Sequence, residues 1–487
     1  MNWENYAIEL LKKLQNKYPS DVFKNEVQEL EKLLLEKEVN KNESTLLNQV
    51  VAVYYTQQKV YAKASHHFQQ ALNRQPNSEE GLKYWIAAHF HFVTLDKSYN
   101  QFQQARTTLA RLLQFYEKKA YSDEHIARVY HEIGRIFVLE EDWHQAHTKF
   151  ELAKKLYQSA YPVTSQVVID LVHELAEVYI QLDQVEVAIH LYEQILRRNK
   201  KEASLKLKAT LTLRVGELYF HSNIKEARKK VTEALNLYQD DPMFSIRCNM
   251  LLAEIDELSN ALPRAIKYYH RALNKMEEFL PEKHFLIIFS HAKLGSLYLV
   301  QNNRKDAKQY LEKGLYMATD YPKLMMQYYQ ALGNLYAKEE DHALSNEMYG
   351  QFLSILEHEG KINGIAYAHT LVAIAENHSM ENDTSLAIAR LLEAHKLYQR
   401  LGSNCREDMA FVAFQLGISF QKDSVEKNDS EAETYLLQSW KLLQSNKNVH
   451  LKEEVNLAII EFYKKHGKQD RCFKYENDLI QLQKLMA

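Results

Sequence analysis

Small, apolar and aromatic residues recur along this chain in one phrase at helical spacing. Five phrases centre on a glycine, at Gly134, Gly216, Gly295, Gly333 and Gly417, and each carries an aromatic three residues later: Phe137, Tyr219, Tyr298, Tyr336 and Phe420. A second small residue follows about twelve positions on, with apolar residues four and seven beyond it. The sharpest copy is Val51, Ala52, Tyr55, Ala64, Phe68, Ala71 and Pro76. Intervals of three, four and seven residues put these side chains on one helix face, so each copy predicts two helices joined by a turn. Glycine weakens a helix interior by roughly 1 kcal/mol relative to alanine. A helix that keeps it at a fixed phase therefore needs close approach by a neighbour.

The first-helix small residue falls at 134, 176, 216, 253, 295, 333, 375 and 417, in steps of 42, 40, 37, 42, 38, 42 and 42. Four departures stand out. The copy after Gly216 loses a residue before Ala227. The copy after Gly333 has Ser345 where alanine is expected. The copy after Gly417 is lengthened by a polar stretch, Gln421 to Ser430. The stretch 81–118 fits the phrase poorly.

These phrases resemble the tetratricopeptide repeat, a helix–turn–helix unit of about 34 residues with small residues where its helices cross. The resemblance covers roughly residues 45–487. Its longer step is similar to kinesin light chains and to the Rap and related peptide-receptor regulators of Gram-positive bacteria. The implied fold is all-α, an α-α superhelix of about ten or eleven helix pairs. Residues 2–17 and 22–37 read as two amphipathic helices outside the repeat, with Leu10, Leu11 and Leu14 on one stripe and Val27, Leu30, Leu33 and Leu34 on the other. Residues 1–40 thus form a helical pair, a cap or an effector module. Residues 45–487 are expected to form one continuous superhelix, irregular at 81–118 and capped at about 457–487, with Cys472 in the last small-residue slot. The best candidate boundaries are Asn40–Ser44, Asp240–Pro242, Leu280–Pro281 and Gly360–Gly364.

Composition changes this picture little. Seven prolines, none after Pro322, suit a helical array, and the abundance of Lys, Asn, Gln and Tyr is similar to that of low-GC bacteria. The first residues lack the apolar core of a signal peptide, and three distant cysteines, Cys248, Cys405 and Cys472, suit a reducing cytoplasm. A net charge of −3 argues against a general nucleic-acid coat. No phosphate-binding glycine loop, dinucleotide turn or C-x-x-C is present. His66-His67, His89 with His91, and His144 with His147 and His131 do not complete a metal set, so neither a metal nor another cofactor is expected.

The resemblance implies that the first helix of each pair lines a concave groove. Counted from the small residue, inward positions offer Arg128, His131 and Arg135, then Asp170, His173 and Glu177, then Glu217, Arg247, Met250, Glu254 and Glu257. They continue with Gln327, Gln330 and Asn334, and with His369 and Glu376. The groove reads basic, then acidic, then amide-rich. Carboxamides both donate and accept hydrogen bonds, which suits the backbone of an extended peptide. The acidic middle favours a ligand with Lys or Arg.

A competing surface is the basic stretch from Arg197 to Lys230, which includes Arg197, Arg198, Lys200, Lys201, Arg228, Lys229 and Lys230. It suits nucleic acid or an acidic partner. The expected role is a cytoplasmic, non-catalytic scaffold or regulator that holds a peptide or protein segment, with no membrane partner. A Rap-like peptide receptor controlling a partner regulator is the alternative, and the basic patch supplies a third. An enzyme built on the array finds no residues to assign.

Overall fold

The structure is a computed structural model that describes residues 3–15, 23–36, 40–76, 78–163, 165–198, 204–422, 428–446 and 448–486. Among these, every regular element is a helix. The chain divides into two compact units, Met1–Tyr238 and Gln239–Ala487, beside the Asp240–Pro242 break.

The first unit contains α1 (Trp3–Gln15), α2 (Lys24–Glu36), α3 (Lys41–Gln57), α4 (Tyr61–Leu72), α5 (Glu79–Ser98), α6 (Phe102–Lys118), α7 (Asp123–Leu139), α8 (Trp143–Ala160), α9 (Gln166–Gln181), α10 (Val185–Arg198), α11 (Leu205–Tyr219) and α12 (Ile224–Leu237). The second contains α13 (Pro242–Leu258), α14 (Leu262–Phe279), α15 (Phe285–Val300), α16 (Arg304–Met317), α17 (Pro322–Lys338), α18 (His342–His358), α19 (Ile365–Met380), α20 (Thr384–Leu401), α21 (Arg406–Lys422), α22 (Asp429–Leu443), α23 (Val449–Lys465) and α24 (Cys472–Met486). From α3 on, consecutive helices pack as pairs, α3 with α4 through α23 with α24. This is the all-α tetratricopeptide architecture.

The glycines mark the crossings. A Cβ at Gly216 would lie 2.7 Å from Val231 Cγ2, one at Gly417 2.7 Å from Leu436 Cγ, and one at Gly333 2.5 Å from Tyr349 Cε1. One at Gly134 would enter the Phe150 ring. At five of the pairs a tyrosine in the aromatic slot ties the pair to its predecessor. Tyr55, Tyr179, Tyr336 and Tyr463, on first helices, donate to Glu31, Glu151, Glu312 and Glu433 on the preceding second helices, at 3.0–3.2 Å. Tyr298 meets His270 Nε2 instead, at 2.9 Å. Burial, then the facing carboxylate, pushes the Tyr179, Tyr336 and Tyr463 phenols up to about 12.

Most turns inside a pair share a signature. A residue with left-handed backbone precedes the second helix: Lys59, Asn100, Glu141, Asp183, Asn260, Asn302, Glu340 and Asn382. Asn and Asp tolerate this region best among residues with a side chain. An Asx residue commonly follows and caps the second helix. Asp142, Asn303, Asp341 and Asp383 accept from backbone N–H groups three residues on. The α11–α12 turn has no left-handed residue, and Asn223 N–H bonds Tyr219 O at 2.7 Å. The residue missing from this copy is therefore the left-handed one.

The other departures are explained by side chains. Asn100 places α5 and α6 in the common frame, with Val93 in the small slot and Asp96 in the aromatic one. Asp96 is fully buried and accepts from Tyr61 Oη at 3.1 Å. Burial, against the Tyr61 bond, raises its carboxyl to about 7. Ser345 is no defect. Its buried Oγ donates to Gly333 O at 2.8 Å and accepts from Asn377 Nδ2 at 2.8 Å. Within the polar stretch after Gly417, residues 423–427 lie outside the described residues.

At the chain's start, Leu11, Leu14, Val27 and Leu30 share one core with Leu46, Leu47 and Val50 of α3. In the last pair, Cys472 is buried with Sγ 3.7 Å from Ile460 O. No described helix is long and apolar enough to cross a membrane.

Candidate functional site

Within each unit first helices of neighbouring pairs meet, as α3 with α5 and α15 with α17 do, so their exposed residues share a face. In the first unit this surface is filled by charge pairs. Arg135 on α7 grips Glu174 on α9 through Nη2 at 2.6 Å and Nε at 2.9 and 3.0 Å. It also bonds Glu132 at 2.7 Å, and Glu132 bonds Lys97 on α5 at 2.9 Å. Burial would lift the Glu174 carboxyl, but hydrogen bonds from His131 and Arg135 hold it near 2. The bond to Glu174 raises the Arg135 guanidinium above its usual range.

His131 does not line a groove. It is 5% exposed, packs against Phe150 and Tyr157, and reaches Glu174 with Nε2 at 3.3 Å. Arg128 is exposed and stacks over Phe90 at 4.1 Å. On α9, Asp170 accepts from Gln166 at 2.7 Å and His173 meets Tyr192 Oη at 2.9 Å, while Glu177 stays exposed. Glu217 on α11 pairs with Arg214 at 2.9 Å.

The basic stretch is likewise compensated. Glu193, just outside the stretch, pairs with Arg197 at 2.9 Å and Lys230 at 3.5 Å, and Lys229 pairs with Glu226 at 3.4 Å. Arg198 is exposed at the end of α10, Arg228 is half-buried on α12, and Lys200 and Lys201 lie outside the described residues.

The second unit differs. Three of its first helices, α15, α17 and α19, enclose a cleft of about 460 Å³. Asn334 and Glu376 both line it, so two residues from the amide-rich end of the sequence-predicted groove converge. Leu299 and Val300 form an apolar wall, with Val300 67% exposed, and Lys338 stands at the rim. Tyr349 Oη donates to Asn334 Oδ1 at 2.6 Å. That bond fixes the carboxamide with its NH₂ as the group left to donate. Burial, then the charge of Glu376, pushes the Tyr349 phenol up to about 12. Glu376 makes no hydrogen bond or ion pair among the described residues.

Gln327 and Gln330 are exposed on α17, before Asn334. His369 is drawn toward α21, with Nε2 3.3 Å from Asp408 Oδ1. On α13, Arg247 is exposed and Glu254 half-buried. Burial raises the Glu254 carboxyl, with Lys293 opposing. Lys293 itself pairs with Glu257 at 3.1 Å.

Position counting missed Glu132, Glu174 and Lys293, each two residues before the small residue, and Val300 and Lys338, five after it. All are one helical turn from the counted position just after the small residue, so they share its face. Successive glutamates at 132 and 174 were the available signal. Among the described residues, no three His, Cys, Asp or Glu side chains gather as metal ligands.

No protein-family model and no curated relative matches the sequence. Solved structures align along much of it. The apo form of the quorum sensor NprR from B. thuringiensis matches at 15% identity, covering 78% of this chain and 99% of its own, with a TM-score of 0.42. The apo form of RapI matches at 13% identity, covering 82% and 98%, with a TM-score of 0.39. A putative kinesin light chain from Podospora anserina with TPR-like repeats matches at 17% identity, covering 40% and 96%, with a TM-score of 0.34. These alignments carry no argument about what the chain binds. Its own paired helices and crossing glycines make it similar to tetratricopeptide-repeat proteins of the long-repeat type.

Proposed function

We propose that the chain is a non-catalytic binding scaffold that holds an extended peptide or protein segment in the α15–α17–α19 cleft. The supporting observation is the convergence of Asn334 and Glu376 beside an exposed apolar wall. The oriented Asn334 NH₂ donates to a ligand backbone carbonyl. The Glu376 carboxylate, without a protein partner among the described residues, receives a Lys or Arg side chain, and Leu299 and Val300 take an apolar neighbour. Ligand and cleft then match in charge, which favours correct register.

The test is selection of extended peptides against the full chain, followed by calorimetry on the variants. Asn334→Ala and Glu376→Gln should each weaken a selected peptide about tenfold, near 1.4 kcal/mol. Thermal stability should stay unchanged for Glu376→Gln, while Asn334→Ala also removes the acceptor of the buried Tyr349 hydroxyl and should cost about 1 kcal/mol. Peptides that bind equally well to both variants defeat the proposal. A peptide-sensing regulator is one form of this scaffold. Preference for short free peptides over the same sequence within a protein loop marks that form.

A further inference from the structure

Four first helices of the second unit are successive neighbours. Lys293 on α15 reaches Glu257 on α13 at 3.1 Å, α15 packs on α17, and α17 and α19 share the cleft. Packed helices lie about 8–10 Å apart. A position repeated on all four therefore recurs at about that interval.

The position five residues after the small residue carries a pattern. It holds Leu258 on α13, Val300 on α15, Lys338 on α17 and Met380 on α19. The three apolar side chains are 66%, 67% and 72% exposed, and Lys338 is exposed without an ion pair among the described residues. One exposed apolar residue is ordinary. Three at one repeat position form a row, and the row is confined to these helices. In the first unit Gln57, Ser98 and Gln181 hold the same place, with Leu139 the apolar exception, while α21 and α23 place Lys422 and Lys465 there.

One helical turn back lies a polar row, Glu254, Ser296, Asn334 and Glu376. Its last three members line the cleft together with Val300 and Lys338. A chain crossing the helices thus meets polar groups suited to its backbone beside apolar ones suited to its side chains.

The interval between helices selects the form of that chain. A β-strand turns successive side chains to opposite faces, so residues three apart point away from each other. A polyproline II helix has three residues per turn and rises about 9 Å per turn. It returns a side chain to the same face at the spacing of the helices below. Of the two, only this form sets one side chain on each first helix.

We propose that the ligand of the cleft, on the reading given above, is a polyproline II segment whose every third residue rests on Leu258, Val300, Lys338 and Met380 in turn. The ligand chemistry in that order is apolar, apolar, acidic and apolar. A basic residue beside the fourth reaches Glu376, so the ligand's charges answer both charges of the site.

The experiment is calorimetric titration of the full chain with the peptide Leu-Pro-Pro-Leu-Pro-Pro-Glu-Pro-Lys-Leu and with its reversed sequence. The control, Leu-Pro-Leu-Pro-Leu-Pro-Glu-Pro-Lys-Pro, has the same composition and the wrong spacing. At least one of the first two should bind with a Kd below about 1 mM, and the control at least about tenfold more weakly. Leu258→Ser and Met380→Ser should each weaken binding about threefold or more, with thermal unfolding unchanged because both side chains are exposed. Lys338→Glu should weaken it about tenfold, and exchanging the peptide's glutamate for lysine should restore it. Absence of binding by either peptide at about 1 mM overturns the proposal, as does a control that binds equally well or a charge exchange that restores nothing. Peptides selected against the full chain separate the two readings. If they respond to Asn334→Ala and Glu376→Gln but not to Leu258→Ser or Met380→Ser, the cleft stands and the row falls. Peptides indifferent to all four remove both.

Discussion

The α7–α9 face of the first unit and the α15–α19 cleft of the second occupy equivalent places in the repeat and use them oppositely. On the first, Lys97, Glu132, Arg135, Glu174 and His131 form a continuous chain of partners. In the second, Asn334 has a donor to spare and Glu376 stands without a partner among the described residues. A charge already held by hydrogen bonds and partly shielded from water has little left for a ligand, and freeing it carries a desolvation cost. An oriented amide beside an unmatched carboxylate has most of its capacity left. Equivalent positions on one scaffold thus serve cohesion in one unit and openness in the other.

The contrast can be broken most severely at Glu174. Glu174→Ala leaves Arg135 with Glu132 alone and takes the carboxylate from the buried His131, and should lower stability by about 2 kcal/mol in urea unfolding. Its acid dependence follows from a carboxyl held near 2 against an ordinary 4.5. The stabilisation is fully present above pH 4.5 and is lost as pH falls toward 2, so Glu174→Gln should flatten acid unfolding in that window.

Asp96, also in the first unit, has the opposite sign. Between its ordinary 3.8 and about 7 the folded protein keeps a proton that the unfolded chain releases. Stability therefore falls as pH rises through that range. Asp96→Asn should remove the decline and raise stability at pH 8 by about 1–2 kcal/mol, read from thermal unfolding across pH.

Gly333→Ala tests the floor of the cleft. The new methyl must displace the Tyr349 ring, costing about 1 kcal/mol after the gain in helix propensity. Peptide affinity should fall as well, because Tyr349 orients Asn334. The smallest effect belongs to Glu376→Gln, whose stability should stay within about 0.5 kcal/mol of the parent. A larger loss would show that the cleft, too, serves cohesion.

Much of this was legible in the sequence. Gly134, Gly216, Gly333 and Gly417 announce crossings because only a missing Cβ lets a ring or branched side chain approach that closely. The helix pairs follow from that spacing. Side-chain direction was harder to read. His131 sits at a counted groove position yet turns inward, because Phe150 and Tyr157 offer it an aromatic slot. Glu174 escaped because its value lies in a contact 39 residues away, with Arg135, that no local pattern encodes. The basic stretch looked less compensated than it is because Glu193 stands just before it in sequence and turns back onto it in space. Asp96 was unreadable for a related reason, since it occupies an aromatic's place and burial there raises its carboxyl to about 7.

The tyrosine-to-glutamate tethers between successive pairs have a mechanical consequence. Each pair touches chiefly its immediate neighbours, and each tether is a single latch at one seam. Load applied along either unit is therefore carried by seams in series, and the softest yields first. Such a unit should peel apart in small steps under modest force, and removing one phenol hydroxyl should lower the threshold only at its own seam.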